Sequence, residues 1–217
     1  MRPTPALRSS QLPRRFSQLL AGLVLYGGSM ALLIRSGLGN MPWDVLHQGL
    51  ACQLRLSLGT ITIAVAAAVL MLWIPLREKP GIGTMCNVVV IGVSVDSALA
   101  VVPAAGTMSA RVLFVGAGVV LNAVATAAYI GAELGPGPRD GLMTGLVRRT
   151  GASVRLVRTT IEITVVTAGW VLGGALGVAT VLYALAIGPL IQLLLPYLTV
   201  GSGGRGRDIF VKPRHGG

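Results

Sequence analysis

The sequence predicts an all-α membrane protein of about six transmembrane helices, arranged as two inverted three-helix repeats, each with a short re-entrant or interfacial helix. Three observations lead there. Hydrophobic residues make up 53% of the 217 and charged residues only 12%, where a soluble domain carries about 25% charged. The 18 lysines and arginines alternate in density from loop to loop, as the positive-inside rule requires. The chain also repeats itself at an offset of 96 residues.

Taken in order, residues 1–14 contain Pro and Arg and predict a disordered cytoplasmic tail. Arg8, Arg14 and Arg15 before an apolar run imitate a signal peptide. The run at 16–34 is longer than such a core, and no small-residue cleavage site follows closely, so it predicts a retained first span. The punctuated segment LGNMPWD at 38–44 opens a short helix to about residue 54, and a second span covers 58–76. Arg77, Glu78 and Lys79 form a tight charged loop before a third span at 83–102. These elements, 15–102, make the first repeat. After an outer loop at 103–110, the second repeat (111–198) holds a fourth span at 111–132 and the segment LGPGPRD at 134–140. A short helix to about 149 and spans at 154–172 and 177–195 complete it. Residues 199–217 are Gly- and Arg-rich and predict a second disordered cytoplasmic tail.

The repeat needs no gap. Leu38 and Gly39 meet Leu134 and Gly135, Pro42 meets Pro138, and Asp44 meets Asp140. Leu46, Gly49 and Ser57 meet Leu142, Gly145 and Ser153, while Gly81 and Thr84 meet Gly177 and Thr180. Three spans per half is an odd number, so the second half enters the membrane upside down. With the N-terminus inside, 15 basic residues lie inside, and only Arg35, Arg55 and Arg111 outside. Both termini are therefore expected in the cytoplasm. Inverted repeats with short helices at their interface recur among secondary transporters.

The formal net charge of +11 raises nucleic acid as a partner. The basic residues are not interleaved with aromatics on one face and no nucleic-acid motif occurs, so the charge reads as topology and contact with anionic lipid. Cys52 and Cys86 fall on opposite sides of the membrane, and His47 and His215 are isolated. No metal or cofactor pattern is present. Serine-hydrolase, phosphate-loop and zinc-protease motifs are also absent, and nothing in the sequence supports an enzyme.

Candidate substrate-binding residues are the polar groups at membrane depth. Pro42 and Pro138 suit the first position of a helix, which puts Asp44 and Asp140 in the first turn, facing the positive helix end. Helices of that length, about 20 Å, are too short to cross a core of about 30 Å. They are either capped amphipathic helices or symmetry-related gates. Asp96 lies within the third span and its repeat partner, Gln192, within the sixth; an intramembrane ionisable group is a functional candidate, and a contact locking the third span to the short helix is the plainer reading. Arg155, Arg158 and Glu162 share one face of the fifth span, as an interfacial ion pair or a substrate-facing one. Asn122, partner of Tyr26, lies mid-span, where polar groups commonly bond between helices. Gly169, Gly173 and Gly177, four apart, form a small-residue face suited to packing within the chain or in a homo-oligomer.

The segments LGNMPWDVLHQGL at 38–50, YIGAELGPGPRDGLM at 129–143 and REKPGIGT at 77–84 resemble the YczE/YyaS/YitT group of bacterial membrane proteins, most closely the YczE branch. The resemblance spans about 15–198. The YitT branch typically carries a soluble C-terminal domain, where only a short tail is expected here. The resemblance implies the bacterial inner membrane and five or six helices, and supplies no substrate or site residue. Two functions follow as expectations. One is a small transporter-like protein working by alternating access on a small molecule. The other is a non-transporting adaptor that presents the basic segment 139–158 to a partner.

Overall fold

A computed structural model describes residues 11–200 and contains, among them, eight helices and no strand. In chain order these are α1 (Leu12–Ser36), α2 (Pro42–Leu54), α3 (Leu58–Leu76), α4 (Ile82–Val101), α5 (Met108–Gly131), α6 (Pro138–Thr150), α7 (Val154–Val171) and α8 (Val178–Leu198). The disordered tails expected at 1–14 and 199–217 fall mostly outside the described residues. Their inner ends do not: α1 starts at Leu12, four residues before the expected span. Arg15 is tied to the segment just after α8, donating from Nη2 to the Val200 carbonyl at 2.9 Å. Val200 in turn donates its backbone N–H to Gly131 at 3.0 Å.

Local chemistry sets the boundaries. Pro42 and Pro138 occupy the first helical turns of α2 and α6, where a missing N–H costs no hydrogen bond. Ser57 and Ser153, repeat partners, cap α3 and α7 by accepting from the N–H groups of Thr60 and Leu156. Thr84 and Thr180, also partners, accept from the N-cap N–H groups of Gly81 and Gly177 at the starts of α4 and α8, at 3.1 and 3.3 Å.

Contacts between the halves come in pairs related by the 96-residue offset. Gly83 donates its N–H to the Leu134 carbonyl at 2.9 Å, and Ala179 to that of Leu38 at 3.0 Å. In the central pair, α1 and α5, Gly22 lies against the backbone of Ala125 and Tyr129, while Gly118 lies against Ser29 and Leu33. The short helix α2 packs on α7, and α6 packs on α3. The buried core lies around α1 and α5, with Leu19, Leu23, Met30, Leu33, Met41 and Val95 all sealed.

Large apolar side chains cover the outside, among them Met71, Ile74, Val101, Leu113, Leu185 and Tyr197. A surface of that kind needs hydrocarbon around it. Five helices, α1, α3, α4, α5 and α8, are long and apolar enough to cross a membrane. The fifth span expected, at 154–172, is formed as α7, but its 18 residues include Arg155, Arg158 and Glu162, which take it below that level of apolarity.

Candidate functional site

The two short helices meet at their N-terminal ends. Three residues separate the C-terminus of α2 from the start of α3. At the other end of α3, Arg148 from the last turn of α6 donates to the Leu76 carbonyl at 2.7 Å. The 19 residues of α3 separate those two ends by about 28 Å. Yet Pro42 and Trp43 of α2 and Pro138 and Arg139 of α6 line one and the same cavity, of about 260 Å³. The short helices therefore reach it from opposite ends of α3.

Chemistry in this cavity comes from both halves. Arg139 stacks over the Trp43 ring, with the guanidinium carbon 4.8 Å from the ring centroid. These two residues are repeat partners, so the stack sits where the halves exchange. Arg139 is 28% exposed, and its Nη2 lies 3.9 Å from Asp44 Oδ1, beyond hydrogen-bonding reach. Asp44 is fully buried behind the cavity wall. His47 Nδ1 lies 3.1 Å from its Oδ1; the carboxylate can only accept, so the ring donates. Oδ2 of Asp44 has no partner among the described residues. Asp140, by contrast, lines the cavity, and its Oδ2 accepts from the Tyr129 hydroxyl at 2.7 Å.

The remaining candidates divide. Glu162 lines the cavity and accepts from Arg158 Nε at 2.9 Å, one helical turn away. Gln192 also lines it. Asn122 lies just beneath: its Oδ1 accepts from the Tyr183 hydroxyl and its Nδ2 donates to Ser29 Oγ, both at 2.8 Å. It thereby ties α1, α5 and α8 together. Asp96 is elsewhere. Its Oδ1 accepts from the Gly59 N–H at 2.7 Å, which fixes α4 to the first turn of α3 and offsets the positive end of that helix.

The most informative groups were not among the candidates. Arg139 stood only as a topological charge and as the start of the basic segment 139–158, His47 as a lone histidine, while Trp43, Tyr129 and Tyr183 carried no signal of their own. The offset alignment held the clue, since it pairs Trp43 with Arg139 directly beside the aspartates.

A family profile described as a family of unknown function (DUF6198) matches residues 13–196. An uncharacterized protein of Haemophilus influenzae is 37% identical over 182 residues, covering 84% of each chain. The uncharacterized membrane protein YczE of Bacillus subtilis is 34% identical over 188 residues, covering 86% of this chain and 87% of that one. The uncharacterized protein YyaS of the same organism is 24% identical over 179 residues, covering 81% and 89%. No solved structure matches.

Proposed function

This chain belongs to the DUF6198 family of unknown function, and we propose that it is a small carrier of the bacterial cytoplasmic membrane, working by alternating access on a small molecule. One observation carries this reading: two half-length helices approach from opposite ends and present their N-termini to a single cavity shared by both halves. Secondary carriers with inverted repeats place their sites in this way, at broken or short helices near the midplane. The paired contacts Gly83–Leu134 and Ala179–Leu38 support an exchange symmetry between the halves. With α7 as a sixth span, that symmetry turns one half over, with both chain ends in the cytoplasm. Of the charges of α7, Arg158 and Glu162 satisfy each other at the cavity wall, which lowers the cost of placing them at membrane depth.

The adaptor reading draws less support. Arg148 and Arg149 of the basic segment donate to the Leu76 and Pro75 carbonyls of α3, and Arg158 is engaged by Glu162, so few of these charges are left for a partner.

The test is cysteine accessibility at repeat-equivalent positions. Leu54 and Thr150 are exposed ends of α2 and α6, and each is replaced by Cys in a chain carrying Cys52→Ser and Cys86→Ser. In intact cells an impermeant thiol reagent should label Leu54→Cys, and should reach Thr150→Cys only after permeabilisation. Labelling of both from one side would rule out inverted halves, and with them the carrier.

A further inference from the structure

Of the cations at the cavity, Arg158 is already hydrogen-bonded to Glu162. Arg139 is not: no hydrogen bond engages its donors among the described residues, and its guanidinium carbon lies over the Trp43 ring, 4.8 Å from the centroid. A planar cation with free, fixed donors matches a carboxylate, which can take two parallel N–H bonds from it. The first turns of α2 and α6, lining the same cavity, add positive helix ends on both sides. The anion closest to Arg139, Asp44, sits at 3.9 Å and so leaves those donors unused. Asp44 in turn has a buried oxygen without a partner. A buried carboxylate with neither counter-charge nor hydrogen bonds is costly. If Arg139 is drawn to another anion, Asp44 loses its one nearby formal cation.

Resting on the carrier reading, we propose that Arg139 holds the substrate, that the substrate is a small carboxylate, and that one proton is carried with it on Asp44. In the empty site Arg139 faces the Asp44 carboxylate. When a carboxylate enters and takes Arg139, one proton from the same aqueous side binds Asp44 Oδ2, since Oδ1 is engaged by His47. The site thus gains one negative and one positive charge, and its total is unchanged. The other ionisable groups lining the cavity beside this pair are Tyr26 of α1, His47 of α2, Tyr129 of α5, Asp140 of α6, Arg158 and Glu162 of α7, and Tyr183 of α8; His47 stays on Asp44 Oδ1. Asp140 keeps its bond from Tyr129, and Glu162 its bond from Arg158, in either state. Tyr26 and Tyr183 are neutral phenols.

The experiment uses the full-length protein in lipid nanodiscs, with acetate, succinate and benzoate as probes. Benzamidine serves as the control, having the shape of benzoate and the opposite charge. At least one carboxylate should raise the unfolding midpoint, as a ligand selective for the folded state does, while benzamidine should not. Arg139→Gln should weaken that binding by about tenfold or more, the scale of hydrogen bonds to a charged group. Arg139→Lys keeps the charge and guards against a folding defect; it should bind more weakly than wild type and more tightly than Arg139→Gln. In weakly buffered solution a pH indicator should register about one proton taken up per anion bound in the wild type, as linkage requires, and none in Asp44→Asn. Binding unaffected by Arg139→Gln, stabilisation by benzamidine alone, or no effect of any carboxylate overturns the assignment of Arg139. Proton uptake that persists in Asp44→Asn overturns the role of Asp44. Carboxylate binding without uptake into proteoliposomes would remove the carrier reading and leave the site. Uptake that survives Arg139→Gln would do the reverse.

Discussion

The two short helices seat on their partner spans by opposite means. Where α2 meets α7, the span is small and the short helix is bulky: Gly169 and Gly174 lie against the backbone of Val45. Where α6 meets α3 the sizes are exchanged. Gly141, the repeat partner of Val45, lies under the ring of Trp73, the repeat partner of Gly169. The indole then reaches on to donate to the Pro138 carbonyl at 3.0 Å. One joint is backbone against backbone; the other is a single large side chain over a glycine. Close packing can be met by either distribution of volume, and the choice has a local consequence. Behind the first joint Asp44 is sealed, whereas the second leaves Asp140 open to the cavity. The α2 arm thus closes its aspartate off, while the α6 arm, seated by a ring and by exposed arginines, keeps its own at the cavity.

Substitutions can break or sharpen that contrast. Gly169→Leu should have the largest effect, because even a Cβ there meets the backbone of Val45 and Leu46, which cannot move aside. Size-exclusion chromatography of the purified protein should show no monodisperse species. Trp73→Ala empties the other joint and should cost about 3–5 kcal/mol in denaturant unfolding, the usual range for a buried Trp, with the fold retained. Asp140→Asn changes the open aspartate while the Tyr129 hydroxyl still finds an oxygen. Its unfolding should match the wild type, and its carboxylate uptake into proteoliposomes should fall by about tenfold, as expected for loss of a charged hydrogen-bonding group. Unchanged uptake would take Asp140 out of the mechanism. The smallest effect belongs to Arg148→Ala with Arg149→Ala. Both side chains are exposed, and the Arg148–Glu78 pair at 3.1 Å is solvent-screened, so the loss in unfolding free energy should stay below about 1 kcal/mol.

Much of the architecture was legible because it rests on short-range rules. Prolines at 42 and 138 and serines at 57 and 153 mark helix starts whatever surrounds them, and α2, α3 and α6 begin where these residues indicate. The early start of α1 was not legible, because Arg15 in its first turn is held by the Val200 carbonyl, distant in sequence. The span expected at 154–172 forms as the helix α7, but Arg155, Arg158 and Glu162 keep it below the apolarity of the other five long helices. Within the site, Asp140, Glu162 and Gln192 were legible as polar residues at membrane depth, and they do line the cavity. Asp96 carried the same signal but is spent on a helix N-terminus, a use that depends on which backbone lies nearest. Arg139 was hidden for the opposite reason. A lone arginine in a cytoplasmic loop looks like a topology signal until the partner helix brings Trp43 beneath it.

The reciprocal bonds between Leu38 and Ala179 and between Leu134 and Gly83 also bear on how the protein is made. Translation delivers everything through α4 before any of α5 exists. During that interval the Leu38 carbonyl and the α2 arm have no neighbour to lie on, and unpaired backbone inside a bilayer is unfavourable. Completion waits for the last helix, since Ala179 stands at the start of α8. A chain stopped anywhere earlier therefore leaves the Leu38 carbonyl without the partner it has in the finished fold.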